Sequence, residues 1–316
     1  MKLRTLITTA IILSHASAMS AGSNCNLQSN GVQRQVAEFT DLIKPANVMS
    51  DKDEFGNADG RGSLTEKAGE LGLTTAEVSQ ISQSTGYVVC PASMGKNPTI
   101  ASAALVGSNM QIVTAAHVFY DELGNERTPL GECYFRNQGD PYTLILLDFD
   151  SGSHRIGKTG VIKANEPNDY AVVRLKSPVA EATPFAIDSN GLEDQETMVG
   201  IAAHQKSPTR EFPADQPVVQ QCRNRQSEKP AGAPTQYYTD CDLSPLGSGG
   251  VVLTRNPVGA LAVAGIFTAT GHESKNGQPY NFASKSYTRV VGLDAVFATD
   301  VTEVRSSIPP RTANLK

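Results

Sequence analysis

The sequence contains no tryptophan, and its aromatic residues together make up only 6% of 316 residues. It also lacks a cluster of basic residues, and its formal net charge is −5. Nucleic acid is therefore not expected as a partner, because nucleic-acid-binding domains carry a concentrated basic surface. Beyond residue 18 no uninterrupted apolar run is long enough to cross a membrane as a helix, so no membrane anchor is expected.

The first residues follow the pattern of a secretory signal peptide. Lys2 and Arg4 precede a short apolar stretch, and small residues suited to cleavage follow at 16–18. The apolar stretch is too short to span a bilayer. We therefore predict that residues 1–18 are removed and that the protein is secreted or periplasmic.

Three short motifs present a histidine, an aspartate and a serine in that order along the chain. His117 ends the motif TAAH at 114–117, after a run of β-branched residues typical of a strand. Asp169 precedes a mostly apolar stretch that is also predicted to be a strand. Ser248 lies within the glycine-rich motif LGSGG at 246–250.

These residue types in this order indicate nucleophilic catalysis. A serine hydroxyl is a weak nucleophile near neutral pH unless an imidazole within hydrogen-bond reach removes its proton. A buried carboxylate holds that imidazole in one tautomer and stabilises its cation. Glycines beside the serine allow backbone amides to face the developing oxyanion. The motifs therefore predict Ser248 as nucleophile, His117 as general base and Asp169 as the group that orients His117.

The three motifs together resemble those of the trypsin-like serine peptidases, especially secreted bacterial members related to the glutamyl endopeptidases. The resemblance covers about residues 85–300. It implies an all-β fold of the chymotrypsin type, with two antiparallel six-stranded β-barrels, a short C-terminal helix and an N-terminal, partly helical extension. His117 and Asp169 would lie on the first barrel and Ser248 on the second.

The resemblance also implies how the site works and what it binds. The backbone amides of Leu246 and Ser248 would form the oxyanion hole. The substrates would be proteins or peptides, and neither a cofactor nor a metal would be required.

Residues 57–66 match part of a calcium-loop pattern, but Phe55 stands where the first ligand should be, so a solvated acidic loop is the preferred interpretation.

The chain divides into regions of different composition. Residues 19–84 are polar or helical in pattern, whereas strand-like runs separated by turns dominate afterwards. We interpret 19–84 as a pro-segment or N-terminal extension; a small appendage packed permanently on the enzyme is an equal alternative. The peptidase domain is expected at 85–300, with the barrel boundary near 185, followed by a tail at 301–316.

Five cysteines in an exported protein predict disulfides. Cys222 and Cys241 lie 19 residues apart before the serine motif, and a bond between them would contribute on the order of 3 kcal/mol. Cys90 and Cys133 bracket the histidine motif and are paired by position. Cys25 is then left over: it is free, joins two chains or is lost with a processed segment. The sequence alone does not determine this connectivity.

The serine motif departs from the family pattern at two positions. Leu246 stands where the family has glycine; if that position requires a positive φ, leucine costs about 1–2 kcal/mol. The oxyanion loop is then distorted at rest, or Gly247 provides the turn instead. Gly247 in turn replaces the aspartate that binds a newly cut N-terminus in zymogens. Any activation should therefore involve removal of a blocking segment or other N-terminal contacts.

The resemblance places Asp242 and Thr268 in the specificity pocket. Asp242 lies six residues before Ser248, where an acid would favour arginine or lysine beside the cleaved bond; a purely structural aspartate is the open alternative. Phe267 occupies the position of a histidine in the glutamyl branch, so a preference for glutamate is not expected.

The sequence as a whole predicts a secreted serine endopeptidase that forms an acyl-enzyme intermediate. One alternative is a catalytically inactive relative that binds a protein through the same cleft or through residues 19–84. A second is an esterase that uses the same three side chains.

Overall fold

The structure is a computed structural model. It describes residues 60–91, 98–121, 123–140, 142–150, 152–156, 169–188, 190–194, 196–203, 205, 211–225, 236–270, 287–292 and 295–306. The predicted signal peptide, Cys25 and the first residues of the calcium-like loop, including Asn57 and Asp59, lie outside the described residues. None of the described helices is long and apolar enough to cross a membrane.

Strands dominate the described chain. In chain order they are β1 Gly62–Ser63, β2 Thr85–Cys90, β3 Thr99–Leu105, β4 Gln111–Thr114, β5 Tyr134–Asn137, β6 Leu144–Asp148, β7 His154–Ile156, β8 Ala171–Leu175, β9 Ala186–Ile187, β10 Thr197–Ala202, β11 Val218–Arg223, β12 Gln236–Thr239, β13 Val251–Arg255, β14 Leu261–Thr270 and β15 Thr288–Gly292. The α-helices are α1 Leu64–Lys67, α2 Thr75–Ser84 and α3 Ala295–Ser306. The protein is therefore mostly β, as predicted.

Six strands of the first half close into an antiparallel barrel. They follow the order β4-β3-β2-β5-β6-β8, and β8 returns to pair with β4. Successive side chains of β3 point to opposite faces of the sheet, so this strand contributes to two hydrophobic cores. Ala101, Ala103 and Leu105 belong to the core of this barrel, whereas Ala104 belongs to a second core shared with the other sheet.

The second half forms a more open sheet. Its strands follow the order β1-β11-β10-β13-β14-β15-β12, and the short β9 pairs parallel with β14. Among the described residues the strands β11 and β12 adjoin near one end, at the isolated bridge Asn224–Thr239 and through backbone hydrogen bonds from Arg225 to Tyr238 and from Asp240 to Arg223. This sheet is thus a half-barrel, whereas the family resemblance implies a second closed barrel.

A shared hydrophobic core holds the two sheets together. Val113 and Val172 of the first barrel lie in the same buried cluster as Val251 and Ile266 of the second sheet. Burial of such side chains contributes about 1.5–3 kcal/mol each. The first barrel and the half-barrel consequently pack as one body with the predicted catalytic segments near their junction.

Residues 60–84 pack tightly against this body. The strand β1 pairs with β11, so it extends the second sheet. Leu64 and Ile81 lie in the shared core. Ser63 and Thr74 begin α1 and α2 through capping boxes with Glu66 and Glu77. Glu66 of the calcium-like loop pattern is therefore used to cap a helix.

The C-terminal helix is longer than predicted. The sequence pattern predicts a helix over 291–298 and a tail from 301, but α3 continues to Ser306. Val301 and Val304 are buried in the shared core, which explains why these residues remain helical. Tyr170, the residue after Asp169, donates a hydrogen bond to Asp300 at 2.5 Å and contacts Phe297 edge-on. The helix therefore braces the segment that carries Asp169.

Candidate active site

Strand pairing brings His117 and Asp169 together. The antiparallel strands β4 and β8 pair Thr114 with Ala171 at one end of the barrel. His117 lies in the 3₁₀ turn Ala116–Val118 just after β4, and Asp169 lies just before β8. The end of one antiparallel strand adjoins the beginning of its neighbour, so the two residues meet at the same edge.

The Asp169 carboxylate binds His117 at two points. Oδ1 accepts the backbone N–H of His117 at 2.9 Å, and Oδ2 lies 2.8 Å from Nδ1 of its ring. With Nδ1–H donating to this carboxylate, the other ring nitrogen, Nε2, is the proton acceptor. Asp169 can therefore control both the position and the tautomer of the imidazole.

The serine loop docks against the segment that delivers His117. The backbone carbonyl of Ser248 accepts the N–H of Ser102 at 2.8 Å. Gly249 has φ +81°, and a Cβ built on it would lie 2.1 Å from Thr114 Oγ1. Only glycine fits so close to this strand in such a conformation. Ser248 is thereby held beside the strand that ends in His117.

The predicted nucleophile, Ser248, and the predicted base, His117, are not in direct contact through a hydrogen bond. The Ser248 hydroxyl donates to the carbonyl of Thr268 at 3.4 Å. Within the described part of the chain no hydrogen bond joins Ser248 to His117. Catalytic hydrogen bonds often shorten only when substrate is bound, so this arrangement is compatible with a resting enzyme.

The turn before Ser248 accommodates Leu246 without a positive φ. Pro245–Gly247 forms a 3₁₀ turn in which the N–H of Gly247 donates to the carbonyl of Ser244 at 2.8 Å. Neither Leu246 nor Gly247 has a positive φ. This is the geometry of a type I turn; a type II turn would place Leu246 at positive φ. Leu246 thus avoids the backbone strain of a positive φ, and Gly247 does not adopt a positive φ in its place.

The turn type determines where the Leu246 amide points. Types I and II differ mainly in the orientation of the central peptide, here Pro245–Leu246. No acceptor for the N–H of Leu246 or Ser248 is found among the described residues. Both amides proposed for the oxyanion hole are therefore available, but the first has its resting, type I orientation.

Ser102 is a site residue that the sequence analysis missed. It is fully buried, and its hydroxyl donates to the Leu246 carbonyl at 2.9 Å while accepting the N–H of Ala203 at 3.0 Å. Its own carbonyl accepts the hydroxyl of Thr114 at 2.7 Å. Ser102 thus joins the histidine strand to the serine loop. A single polar residue in the small, apolar run at 100–105 was the available signal.

Comparison with known proteins now identifies the family. The model of the trypsin-like peptidase domain matches residues 101–261, a range that contains all three predicted motifs. This chain belongs to the trypsin-like peptidase family. It is accordingly a serine-type peptidase, as the sequence motifs predict. No curated protein matches the sequence significantly.

Solved structures of other peptidases share the fold of this trypsin-like peptidase. A thermostable serine protease, AL20, from an extremophilic microorganism is 14% identical, with a TM-score of 0.53 over 72% of this chain and 99% of its own. Protease Anisep from Arthrobacter nicotinovorans is 13% identical, with a TM-score of 0.54 over 72% and 98%. A Glu endopeptidase is 12% identical, with a TM-score of 0.55 over 79% and 99%.

The two residues that the resemblance places in the specificity pocket, Asp242 and Thr268, are buried. Asp242 is 4% exposed, and its Oδ2 accepts the backbone N–H of Gly60 at 3.1 Å. Its backbone groups bind the side chain of Gln220 at 2.6 and 2.7 Å. Thr268 is also buried and offers its carbonyl to the Ser248 hydroxyl. The N-terminal segment therefore contacts the acid that the resemblance places in the pocket.

Two disulfides brace the peptidase. Cys90 and Cys133 are bonded at 2.05 Å and join the end of β2 to the residue before β5. Cys222 and Cys241 are bonded at 1.99 Å and join β11 to the segment leading to Ser248. These are the pairs expected from position along the chain.

Proposed function

We propose that this peptidase is a secreted serine endopeptidase that uses Ser248, His117 and Asp169. The observation that carries the proposal is the double attachment of His117 to Asp169, through the backbone N–H at 2.9 Å and Nδ1 at 2.8 Å. That attachment leaves Nε2 as the base beside a docked serine loop. Secretion is supported by the signal-like residues 1–18 and by the two disulfides, since disulfides persist in oxidising compartments.

The proposed reaction follows from these roles. His117 takes the proton of Ser248 as its Oγ attacks the carbonyl carbon of the peptide bond. His117 then gives that proton to the departing amine, and water hydrolyses the acyl-enzyme by the same route. Asp169 stabilises the imidazolium in both halves.

The oxyanion hole requires one change from the resting state. We propose that substrate binding turns the Pro245–Leu246 peptide from the type I to the type II orientation, so that the amides of Leu246 and Ser248 both face the oxyanion. Leucine at positive φ makes this change cost about 1–2 kcal/mol. Part of the substrate's binding energy then drives the change, which is a form of induced fit.

For the pocket, the burial of Asp242 and its contact with Gly60 favour the structural alternative over a preference for arginine or lysine. A peptide library cleaved by the enzyme tests this point. If wild type prefers arginine or lysine before the cleaved bond and Asp242→Asn does not, Asp242 determines specificity after all. Equal cleavage patterns in wild type and Asp242→Asn are the expected result.

An inactive binding module is the second candidate, because the Ser248 hydroxyl bonds to Thr268 and the turn is type I at rest. A fluorophosphonate probe, which labels activated serines, separates the two candidates. We expect wild type to be labelled and Ser248→Ala and His117→Ala to be unlabelled. Unlabelled wild type, with both disulfides formed, would favour the binding module.

A further inference from the structure

The segment around Arg61 contacts both β11 and the chain just before the serine turn. Gly60 donates its N–H to Asp242, and Gly62–Ser63 pair with Val219 and Val218 of β11. The N–H of Leu64 donates to the carbonyl of Pro217 at 2.9 Å. Backbone contacts on both sides of Arg61 therefore hold this segment in one place, and the Arg61 side chain enters the interior between them.

Arg61 is completely buried, which is rare for an arginine. Its Nη1 donates to Gln205 Oε1 at 3.2 Å, and its guanidinium lies 5.7 Å from the ring centre of Phe212. Removing a cation from water is unfavourable unless its hydrogen bonds compensate. The Arg61 guanidinium is thus held in the interior, beside the second sheet, where interactions with protein groups replace its contacts with water.

Gln205 connects this cation to the serine turn. The same Oε1 that accepts from Arg61 also accepts the N–H of Ser244 at 3.1 Å. Ser244 begins the turn that ends at Gly247, and a Cβ on Gly247 would lie 3.5 Å from the Gln205 amide carbon. Arg61, Gln205 and the turn are therefore in continuous contact.

We propose that Arg61 is a positioning residue whose buried positive charge, acting through Gln205, holds the turn 244–247 in register for catalysis. The inference rests on the proposed function. Gly247 offers no carboxylate for a newly cut N-terminus, and an internal guanidinium is linked to the turn through Gln205 instead. Ordering of the turn 244–247 then does not require proteolytic cleavage of the chain after Arg61. Such cleavage would instead break the covalent connection between Arg61 and the residues that follow it.

Two substitutions separate charge from packing. Arg61→Met keeps an unbranched apolar chain without charge, and Arg61→Lys keeps the charge. Arg155→Met is the matched control, because Arg155 forms a surface pair with Glu303 at 2.8 Å. The full-length, disulfide-bonded proteins are compared by kcat and KM on a peptide substrate, by the rate of fluorophosphonate labelling and by thermal unfolding.

We expect kcat of Arg61→Met to fall by at least about tenfold with KM changed less than about threefold, since a misplaced oxyanion donor affects the transition state more than substrate binding. Arg61→Lys should retain more than about a third of kcat, and Arg155→Met should match wild type. Wild-type kcat in Arg61→Met, or equal losses in the methionine and lysine variants, would overturn the proposal.

A further variant covers the case in which Arg61→Met does not fold. Gln205→Leu removes the link to Ser244 and should lower kcat in the same way; unchanged kcat in this variant would refute the positioning role. Failure of wild type itself to label with the probe overturns both proposals. A labelled wild type with an unaffected Arg61→Met rejects only the role of Arg61.

Discussion

At the scale of single residues, the backbone at Leu246 distinguishes this site. A type II turn places its third residue at positive φ, where leucine is disfavoured by about 1–2 kcal/mol relative to glycine. Leu246 instead occupies a 3₁₀ turn, and the Ser102 hydroxyl holds its carbonyl at 2.9 Å. The identity of one side chain thereby selects the resting orientation of an amide that we assign to catalysis.

The substitution Leu246→Gly should make the enzyme faster. Glycine removes the penalty for positive φ, so kcat is expected to rise by about five- to thirtyfold, which corresponds to about 1–2 kcal/mol. Active-site labelling and peptide hydrolysis both measure this. Leu246→Ala is the control, because alanine also disfavours positive φ. An equal increase in the alanine variant would attribute the effect to loss of the leucine side chain.

At the scale of elements, several strands escaped prediction, among them Tyr134–Asn137, His154–Ile156 and Thr197–Ala202. The first ends in Arg136 and Asn137, which look like loop residues although both are buried. Asn137 donates its side-chain N–H to the carbonyl of Gln83 at 2.6 Å. Polar residues of this kind become strand residues only because distant chain segments satisfy their hydrogen bonds.

The helix α2 offers a pH-dependent test of how the N-terminal elements attach. A hydrogen bond from Arg255 holds the pKa of Glu77 below its usual value, although partial burial opposes this. A depressed pKa in the folded state means that the stabilisation is present above about pH 4.3 and is lost as the pH falls through the folded pKa. The pair stabilises most at neutral pH.

Glu77→Gln should therefore lower the free energy of unfolding by up to about 1 kcal/mol at pH 7, because Arg255 is half-exposed and its charge is screened. The difference from wild type should shrink towards zero near pH 3. Denaturant unfolding at several pH values measures it. Glu70→Gln, at an exposed pair with Lys67, should show less than about half of this effect. A pH-independent difference would contradict the ion-pair explanation.

At the scale of the whole molecule, the candidate site lies where the two sheets meet, and Ser102 connects them through hydrogen bonds. It belongs to the first barrel but bonds to Leu246 and Ser248 of the serine loop and to Ala203 beyond β10. Each of these contacts crosses from one sheet to the other. The relative position of the two halves and the shape of the serine loop are therefore coupled.

Ser102→Ala should lower both stability and reactivity. It leaves the buried N–H of Ala203 and the carbonyl of Leu246 without their partner, a loss of about 1–3 kcal/mol in unfolding free energy. Fluorophosphonate labelling should also slow. Ser84→Ala is the matched control, because Ser84 is equally buried and donates to the carbonyl of Thr183 at 2.6 Å, away from the serine loop. Labelling as fast in Ser102→Ala as in the control would refute the coupling.

The sequence by itself determined the family, the β class and the three side chains proposed for catalysis, because short motifs carry the local backbone and chemical requirements of that site. Tertiary structure alone decided how the turn is supported. The contacts of Gly60 with Asp242, of Arg61 with Gln205 and of Ser102 with Leu246 span 182, 144 and 144 residues. No local pattern encodes such pairs, because they form only after burial of the shared core brings both sheets and residues 60–84 together.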